Sequence, residues 1–207
     1  MGIRTDSRSI VLLALFTSIV IALEIFPIPY VTDIETPAPF FTIDWTGIPI
    51  VIIFLGLGIV YAVFSIAIMW IFIGYRNFQG AAFKGVAESF TLIGLIIAKL
   101  LLRNRELDWK RTAAVYLVFA SVFRTVGMIF GNTLLFMIFY TSTVEAAYTL
   151  SLVYIPWNTI QAIINVVGGV FLYQIIPESL RIQAGLGRFR RGNQPSYEEI
   201  SEDELNE

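Results

Sequence analysis

The sequence predicts an all-α integral membrane protein, a bundle of six transmembrane helices with both termini in the cytoplasm. Three observations lead to this fold class. Hydrophobic residues make up 57% of the 207 residues and charged residues only 14%, against about 25% in soluble domains. The mean hydropathy is +0.74. Long stretches without charge alternate with short charged segments, as in helices that cross a bilayer. We therefore expect a multi-pass protein of the plasma membrane.

Composition also excludes several classes of function. The chain contains no cysteine and no histidine, which excludes disulfides, thiolate zinc sites and His-dependent catalysis. A net charge of −2 provides no basic surface for nucleic acid. The sequence lacks the GxxxxGK[ST], GxSxG and HExxH motifs. We therefore expect no enzyme, no metal and no cofactor, and ATP-driven transport would need a partner protein.

The apolar stretches give the order of the helices. They lie at residues 9–26, 45–75, 84–102, 112–140 and 152–176. The first stretch ends before Pro27 and Pro29, since proline breaks helices. The second contains two helices, with a break at Gly56-Leu57-Gly58 because glycine interrupts helices. The earlier of these two helices is short and has Pro49 in its first turn, where proline is tolerated.

The distribution of lysine and arginine decides between five and six spans. Six spans put most basic residues on the cytoplasmic side, as the positive-inside rule requires. These residues are Arg4, Arg8, Arg103, Arg105, Lys110, Arg111, Arg181, Arg188, Arg190 and Arg191. Only Arg76 and Lys84 then lie in outer loops. The sequence thus divides into a membrane domain, residues 1–180, and a polar cytoplasmic tail, residues 181–207, which we expect to be disordered.

Small residues recur every four positions on the first helix, at Ala14, Ser18 and Ala22. They share one face, and small side chains allow another helix to approach closely in lipid. The pattern is consistent with a docking face for a partner helix. Packing within the protein, or chance, is the alternative explanation of this spacing, because alanine and serine are common.

Six polar residues lie within the last three predicted helices: Glu88, Arg124, Asn132, Asn158, Gln161 and Asn165. A charge at the bilayer centre costs roughly 2.5–3.5 kcal/mol unless it is shielded, so these groups must face a cavity or one another. The three amides of the last helix share one face by their i, i+3, i+7 spacing. Amides donate and accept hydrogen bonds, which suits a neutral heterocyclic ligand. A structural network between helices is the alternative, as is pairing of Glu88 with Lys84 or Arg124.

The loop at residues 30–45 is a candidate lid. It contains Pro37 and Pro39 and four aromatic residues, Tyr30, Phe40, Phe41 and Trp45. Aromatic residues near a membrane boundary usually form an interfacial belt, but they could also stack on a planar ligand. For Trp70 and Tyr75 we expect the belt.

Several segments, taken in order, match a known family. They are Glu24-Ile25-Phe26-Pro27-Ile28-Pro29, Phe41-Thr42-Ile43-Asp44-Trp45-Thr46-Gly47-Ile48-Pro49, Asn132, Ile155-Pro156-Trp157-Asn158, Gln161 and Ile164-Asn165. Over about residues 9 to 177 the chain resembles the substrate-binding S component of energy-coupling-factor (ECF) vitamin transporters, and most closely the riboflavin-specific type.

The resemblance implies a bundle that binds a vitamin, as substrate and not as cofactor, beneath the loop between helices one and two. It also implies docking on a transmembrane T component that two cytoplasmic ATPases drive. The docking motif corresponds to Ala14, Ser18 and Ala22. The ring-binding amides correspond to Asn132 and Asn158, and the entry of helix two to Thr42, Asp44 and Trp45. We add Glu88, Gln161 and Asn165 as further candidate binding residues.

The chain departs from the riboflavin-specific pattern at three places. Gln161 replaces a lysine, residues 65–70 lack a Lys-Asn pair, and Gly47 stands where a second acidic residue is common. The vitamin is therefore left open. Two other classes also stay open, an autonomous small transporter and a structural or sensory membrane protein without a ligand.

Overall fold

The computed structural model describes residues 7–39, 41–103, 108–184 and 186. This part of the chain forms eight helices and one short hairpin. The helices are α1 (Ser7–Ile25), α2 (Gly47–Gly56), α3 (Ile59–Arg76), α4 (Phe78–Leu101), α5 (Trp109–Tyr140), α6 (Val144–Val153), α7 (Ile155–Ile175) and α8 (Glu178–Gln183). The strands are β1 (Asp33–Glu35) and β2 (Thr42–Asp44).

Five of the helices, α1, α3, α4, α5 and α7, are long and apolar enough to cross a membrane. The apolar helices α2 and α6 have ten residues each. Such helices are about 15 Å long, half of a hydrocarbon core of about 30 Å. The fold is therefore a multi-helix bundle with five candidate spans. The sixth span and the cytoplasmic position of the termini stay predictions.

The break between the second and third helices lies where the sequence predicts it. Helix α2 ends at Gly56 and α3 begins at Ile59. Between them, Gly58 has a φ of 105°, a conformation that glycine adopts without the steric cost of a Cβ. Pro49 lies in the first turn of α2, where its missing N–H costs no helical hydrogen bond.

The hydrophobic core is centred on α2, in which nine of the ten residues are buried. Its partner α7 carries Gly169, where an added Cβ would lie 2.6 Å from Val51. On another side, the ring of Phe54 packs edge-on against Tyr116 of α5, with 6.0 Å between the ring centroids. Because it is apolar all round and enclosed, α2 fits a core helix, which explains how so short an apolar helix is accommodated.

Capping explains the two largest differences between the predicted and the observed helix starts. Helix α4 begins at Phe78 and not at Lys84, because the Asn77 side chain accepts a hydrogen bond from the Gly80 N–H at 2.9 Å. Helix α6 was not predicted at all. It begins after Thr143, whose hydroxyl accepts from the Ala146 N–H at 3.3 Å. Such caps satisfy otherwise unpaired N–H groups of the first turn.

The loop at residues 30–45, called the hairpin loop from here on, contains the only strands in the described part of the chain. They are antiparallel, with Asp33 opposite Asp44 and Glu35 opposite Thr42. At the other end of the described chain, α8 crosses the boundary that the sequence places at residue 181, and Leu186 is 2% exposed within the core. Arg4, Arg105, Arg188, Arg190, Arg191 and the acidic end of the predicted tail lie outside the described residues.

We expect Gly94→Ala to destabilise the bundle, because the backbone of α5 lies directly against this glycine of α4. An added Cβ would lie 2.5 Å from the carbonyl oxygen of Phe119 and 2.7 Å from the Cα of Ala120, and backbone cannot rotate away as a side chain can. Overpacking of this kind costs about 1–3 kcal/mol, or roughly 2–12 °C in the thermal midpoint of a chain of this size.

The measurement is thermal unfolding in detergent, followed by tryptophan fluorescence. Gly74→Ala is the matched control, since its Cβ would lie 3.7 Å from the Cβ of Ala81, an ordinary contact. Equal midpoints for the two variants would show that α4 and α5 can separate at this position without cost.

Candidate functional site

A cavity of about 530 Å³ lies between the hairpin loop and helices α4, α5 and α7. This volume is within the usual range for small-molecule sites, about 300–1,000 Å³. Its polar and charged lining residues are Glu24, Thr42, Asp44, Asn77, Gln79, Lys84, Arg124, Asn132 and Asn158, and its large apolar ones are Phe41, Ile73, Phe83, Met128, Phe136, Tyr140 and Tyr154. We refer to this space as the main cavity.

Aromatic side chains form one wall of the main cavity. The rings of Phe83 and Phe136 are 5.1 Å apart, those of Phe136 and Tyr154 are 5.4 Å apart, and those of Phe41 and Tyr154 are 5.9 Å apart. The hydroxyl of Tyr154 donates to the backbone carbonyl of Pro39. These contacts join the hairpin loop to α5 and α7, and they provide flat apolar surfaces against which a ring could stack.

Of the four aromatic residues of the candidate lid, only Phe41 is found lining the main cavity. Tyr30 is 81% exposed and Trp45 is 44% exposed, while Phe40 lies outside the described residues. The indole N–H of Trp45 donates to the carbonyl of Val31 at 2.7 Å, so this predicted binding residue braces the hairpin loop. Trp70 and Tyr75 are also exposed, as a membrane belt requires.

The two amides that the family resemblance singles out both line the main cavity. Asn132 is 2% exposed, and its side chain lies on α5 at the cavity wall. Asn158 is 1% exposed, and its amide nitrogen donates to the carbonyl of Tyr154 at 3.1 Å. Because only the nitrogen of an amide can donate, this bond identifies the remaining terminal atom of the Asn158 side chain as its oxygen. The oxygen has no partner among the described residues.

The other two buried amides of α7, Gln161 and Asn165, bind other parts of the protein. Gln161 binds the backbone of Asp44 twice, accepting from its N–H at 3.0 Å and donating to its carbonyl at 2.7 Å. Gln161 also donates to Asn165 at 2.8 Å, and Asn165 donates to Glu88 at 3.0 Å. Neither amide is found in the cavity lining. Their position fixes the end of the hairpin loop above α7, and their role as binding residues stays a prediction.

Glu88 pairs with Arg124, one of the two pairings that the sequence allows. The guanidinium of Arg124 donates to the carboxylate at 2.6 Å and to the hydroxyl of Thr91 at 3.0 Å. Glu88 is 2% and Arg124 4% exposed. Arg124 lines the main cavity, whereas Glu88 lies behind it, and the Nε of Arg124 has no partner among the described residues. The pair joins α4 to α5 and leaves one donor unused.

Lys84 binds two carboxylates, an arrangement that the sequence did not reveal. Its ammonium contacts Glu24 at the end of α1 and lies 2.8 Å from Asp44 at the end of β2. Asp44 also accepts from the N–H of Thr46 at 2.9 Å and from its hydroxyl. Burial raises the pKa of the Asp44 carboxyl to about 6, against the opposing effect of the Thr46 hydrogen bonds. We call Glu24, Asp44 and Lys84 the acid–lysine cluster.

A smaller hollow of about 240 Å³ adjoins the main cavity between α1 and α3. The two spaces share Glu24, Ile73 and Asn77. Arg76 borders only the smaller one, and its guanidinium lies 3.4 Å from the backbone oxygen of Glu24. Of the acid–lysine cluster, Glu24 borders both hollows, whereas the other two members line the main cavity.

The predicted docking residues lie on the surface. Ala14, Ser18 and Ala22 of α1 are all exposed, whereas the buried residues of this helix are Ser9, Thr17 and Val20. The hydroxyl of Thr17 donates to Ser65 of α3 at 3.1 Å. Internal packing therefore uses the opposite face of α1, and the small residues are free to contact another molecule.

The comparisons with known proteins support the fold. No protein-family model and no curated protein matches the sequence. Among solved structures, the chain is similar to the S-component for biotin from an ECF-type ABC transporter, with a TM-score of 0.55 and 18% identity. The similarity covers 87% of this chain and 98% of the other. At this identity the likeness extends to the fold, so the chain has the fold of a biotin S-component.

Proposed function

We propose that the protein is the substrate-binding S component of an ECF-type transporter and captures a small water-soluble vitamin. The observation that carries the proposal is the main cavity, which combines buried amides with aromatic rings in a fold shared with a vitamin-binding S-component. Such a component holds its ligand by shape and hydrogen bonds and forms no covalent bond. Buried polar groups left unpaired cost about 1–3 kcal/mol each, so the cavity rejects ligands that match it poorly.

Two vitamins are candidates. The sequence resemblance favours riboflavin, whose flat ring system suits the wall formed by Phe83, Phe136 and Tyr154. The structural neighbour binds biotin, which gives biotin independent support. In either case Asn132 and Asn158 hold the polar edge of the ring. The partners are a transmembrane T component and two cytoplasmic ATPases, which supply the energy for release of the vitamin inside the cell.

The direct test is purification in mild detergent from cells supplied with vitamins, followed by identification of what stays bound. A yellow sample with flavin absorbance indicates riboflavin, and mass spectrometry of the denatured protein detects biotin. A ligand that binds the folded state also raises the thermal midpoint. A protein that retains neither vitamin and shows no thermal shift with either would be a structural or sensory protein. Uptake into liposomes without any ATPase would indicate an autonomous transporter.

We expect Asn158→Ala to weaken binding of the retained vitamin by about ten-fold or more, the usual consequence of losing one to two buried hydrogen bonds. Isothermal titration measures the change. The matched control is Gln174→Ala, which removes an amide from the same helix outside the cavity lining. Wild-type affinity in Asn158→Ala, or an equal loss in the control, would contradict the assignment of Asn158.

A further inference from the structure

The cations that line the main cavity are already paired with carboxylates. Lys84 lies between Glu24 and Asp44, and Arg124 is bound by Glu88. In the acid–lysine cluster, two carboxylates against one ammonium leave one negative charge in excess. Within the described lining no cation is left over to receive an anionic group, since Arg76 borders only the smaller hollow.

Two polar atoms at the wall remain unpaired, and they are of opposite kinds. The Nε of Arg124 is a buried donor and the Oδ1 of Asn158 is a buried acceptor, and neither has a partner in the described part of the chain. Their helices are held together one residue further on, where the hydroxyls of Thr125 and Thr159 are 2.8 Å apart. A ligand satisfies both atoms if it presents a carbonyl oxygen and an N–H on one edge. A carboxylate has only acceptors and would leave Asn158 unsatisfied.

We propose that the main cavity selects an uncharged ligand with an N–H beside a carbonyl, and rejects ligands that carry a carboxylate or phosphate. This inference rests on the proposed function and narrows it to riboflavin among the two candidate vitamins, because biotin carries a carboxylate. An anionic group that approached the acid–lysine cluster would meet the excess carboxylate charge in a partly desolvated environment, where like charges are costly. At Arg124 it could accept only from the Nε, and it would leave the oxygen of Asn158 buried without a donor. Uncharged ligands meet neither penalty.

The test compares two matched pairs of probes by titration at pH 7.5, at which Asp44 is ionised. The pairs are riboflavin with its 5′-phosphate, and biotinamide with biotin. We expect the uncharged member of whichever pair binds to bind about ten-fold or more tightly than the charged member. Glu24→Gln, which keeps the size of the side chain and removes its charge, should reduce that ratio. The matched control Glu35→Gln removes a charge from the exposed strand β1 and should leave the ratio unchanged.

The outcomes separate this inference from the proposed function. Equal or tighter binding of the charged member would overturn the inference and leave a vitamin-binding protein. Absence of binding by all four probes would contradict the proposed function, and the inference would fall with it. The comparison of probes on the wild-type protein is decisive by itself, so it stands even where Glu24→Gln fails to fold.

Discussion

Glu88→Ala should lower the thermal midpoint of the protein by roughly 6–20 °C. The substitution leaves the guanidinium of Arg124 buried without its carboxylate and takes the acceptor from Asn165. Breaking a buried ion pair by removal of one partner costs roughly 3–5 kcal/mol, and a chain of this size loses about 2–4 °C for each kcal/mol. Thermal unfolding in detergent, followed by the fluorescence of the four tryptophans, provides the measurement.

A double variant shows whether Glu88→Ala loses stability through the unpaired charge of Arg124 or through lost packing. Replacing both partners, as in Glu88→Leu with Arg124→Met, removes the uncompensated charge and should recover much of the lost stability, because apolar replacements of a buried pair are often neutral. Glu35→Ala controls for loss of an exposed carboxylate. If Glu88→Ala unfolds within a degree or two of that control, Arg124 has found another partner and the pair is not what joins α4 to α5.

The sequence predicts the long helices well because hydropathy and helix breaks are local properties. The break before α3 lies at Gly58, which has a positive φ, and the end of α1 lies just before Pro27. Helix α6 escaped prediction because it is short and lies beside the longer apolar stretch of α7, although Thr143 is a recognisable cap. The start of α4 lies six residues before the predicted apolar stretch, although Asn77 is likewise a recognisable cap.

The candidate site was predictable only in part, because periodicity identifies a helix face but not what covers it. The i, i+3, i+7 spacing correctly puts Asn158, Gln161 and Asn165 on one inward face of α7. Only Asn158 remains open to the main cavity, since the hairpin loop covers Gln161 through the backbone of Asp44. That contact joins residues 117 positions apart, and no local pattern encodes it.

The acid–lysine cluster and the aromatic wall also join residues that are distant in the sequence, so they depend on tertiary packing. Glu24, Asp44 and Lys84 come from three separate elements, and the topology inferred from the sequence put Lys84 in an outer loop. Phe83, Phe136 and Tyr154 lie in apolar segments in which a phenylalanine or tyrosine is unremarkable. The sequence signal that could have indicated the aromatic wall is the presence of aromatic residues close to the buried amides.

The last prediction concerns the exposed small residues of α1. Ala14→Leu and Ala22→Leu should abolish most vitamin uptake while leaving vitamin binding unchanged. Both positions are exposed and distant in the chain from every residue of the cavity lining except Glu24. In lipid, helices associate by close packing of small side chains, so a leucine at such an interface holds the partner helix away. Overpacking of about 1–3 kcal/mol corresponds to a loss of roughly five-fold to 150-fold in affinity for the partner.

Uptake of labelled vitamin, in cells that contain the T component and both ATPases, measures coupling, and titration of the purified variants measures binding. Ala67→Leu is the matched control, because it puts the same side chain on an exposed alanine of α3. Co-purification of the T component should fall with uptake in the α1 variants and persist in the control. Uptake at the wild-type rate in Ala14→Leu and Ala22→Leu would show that the docking surface lies on another face of the bundle. Loss of binding together with uptake would instead mean that α1 shapes the cavity through Glu24.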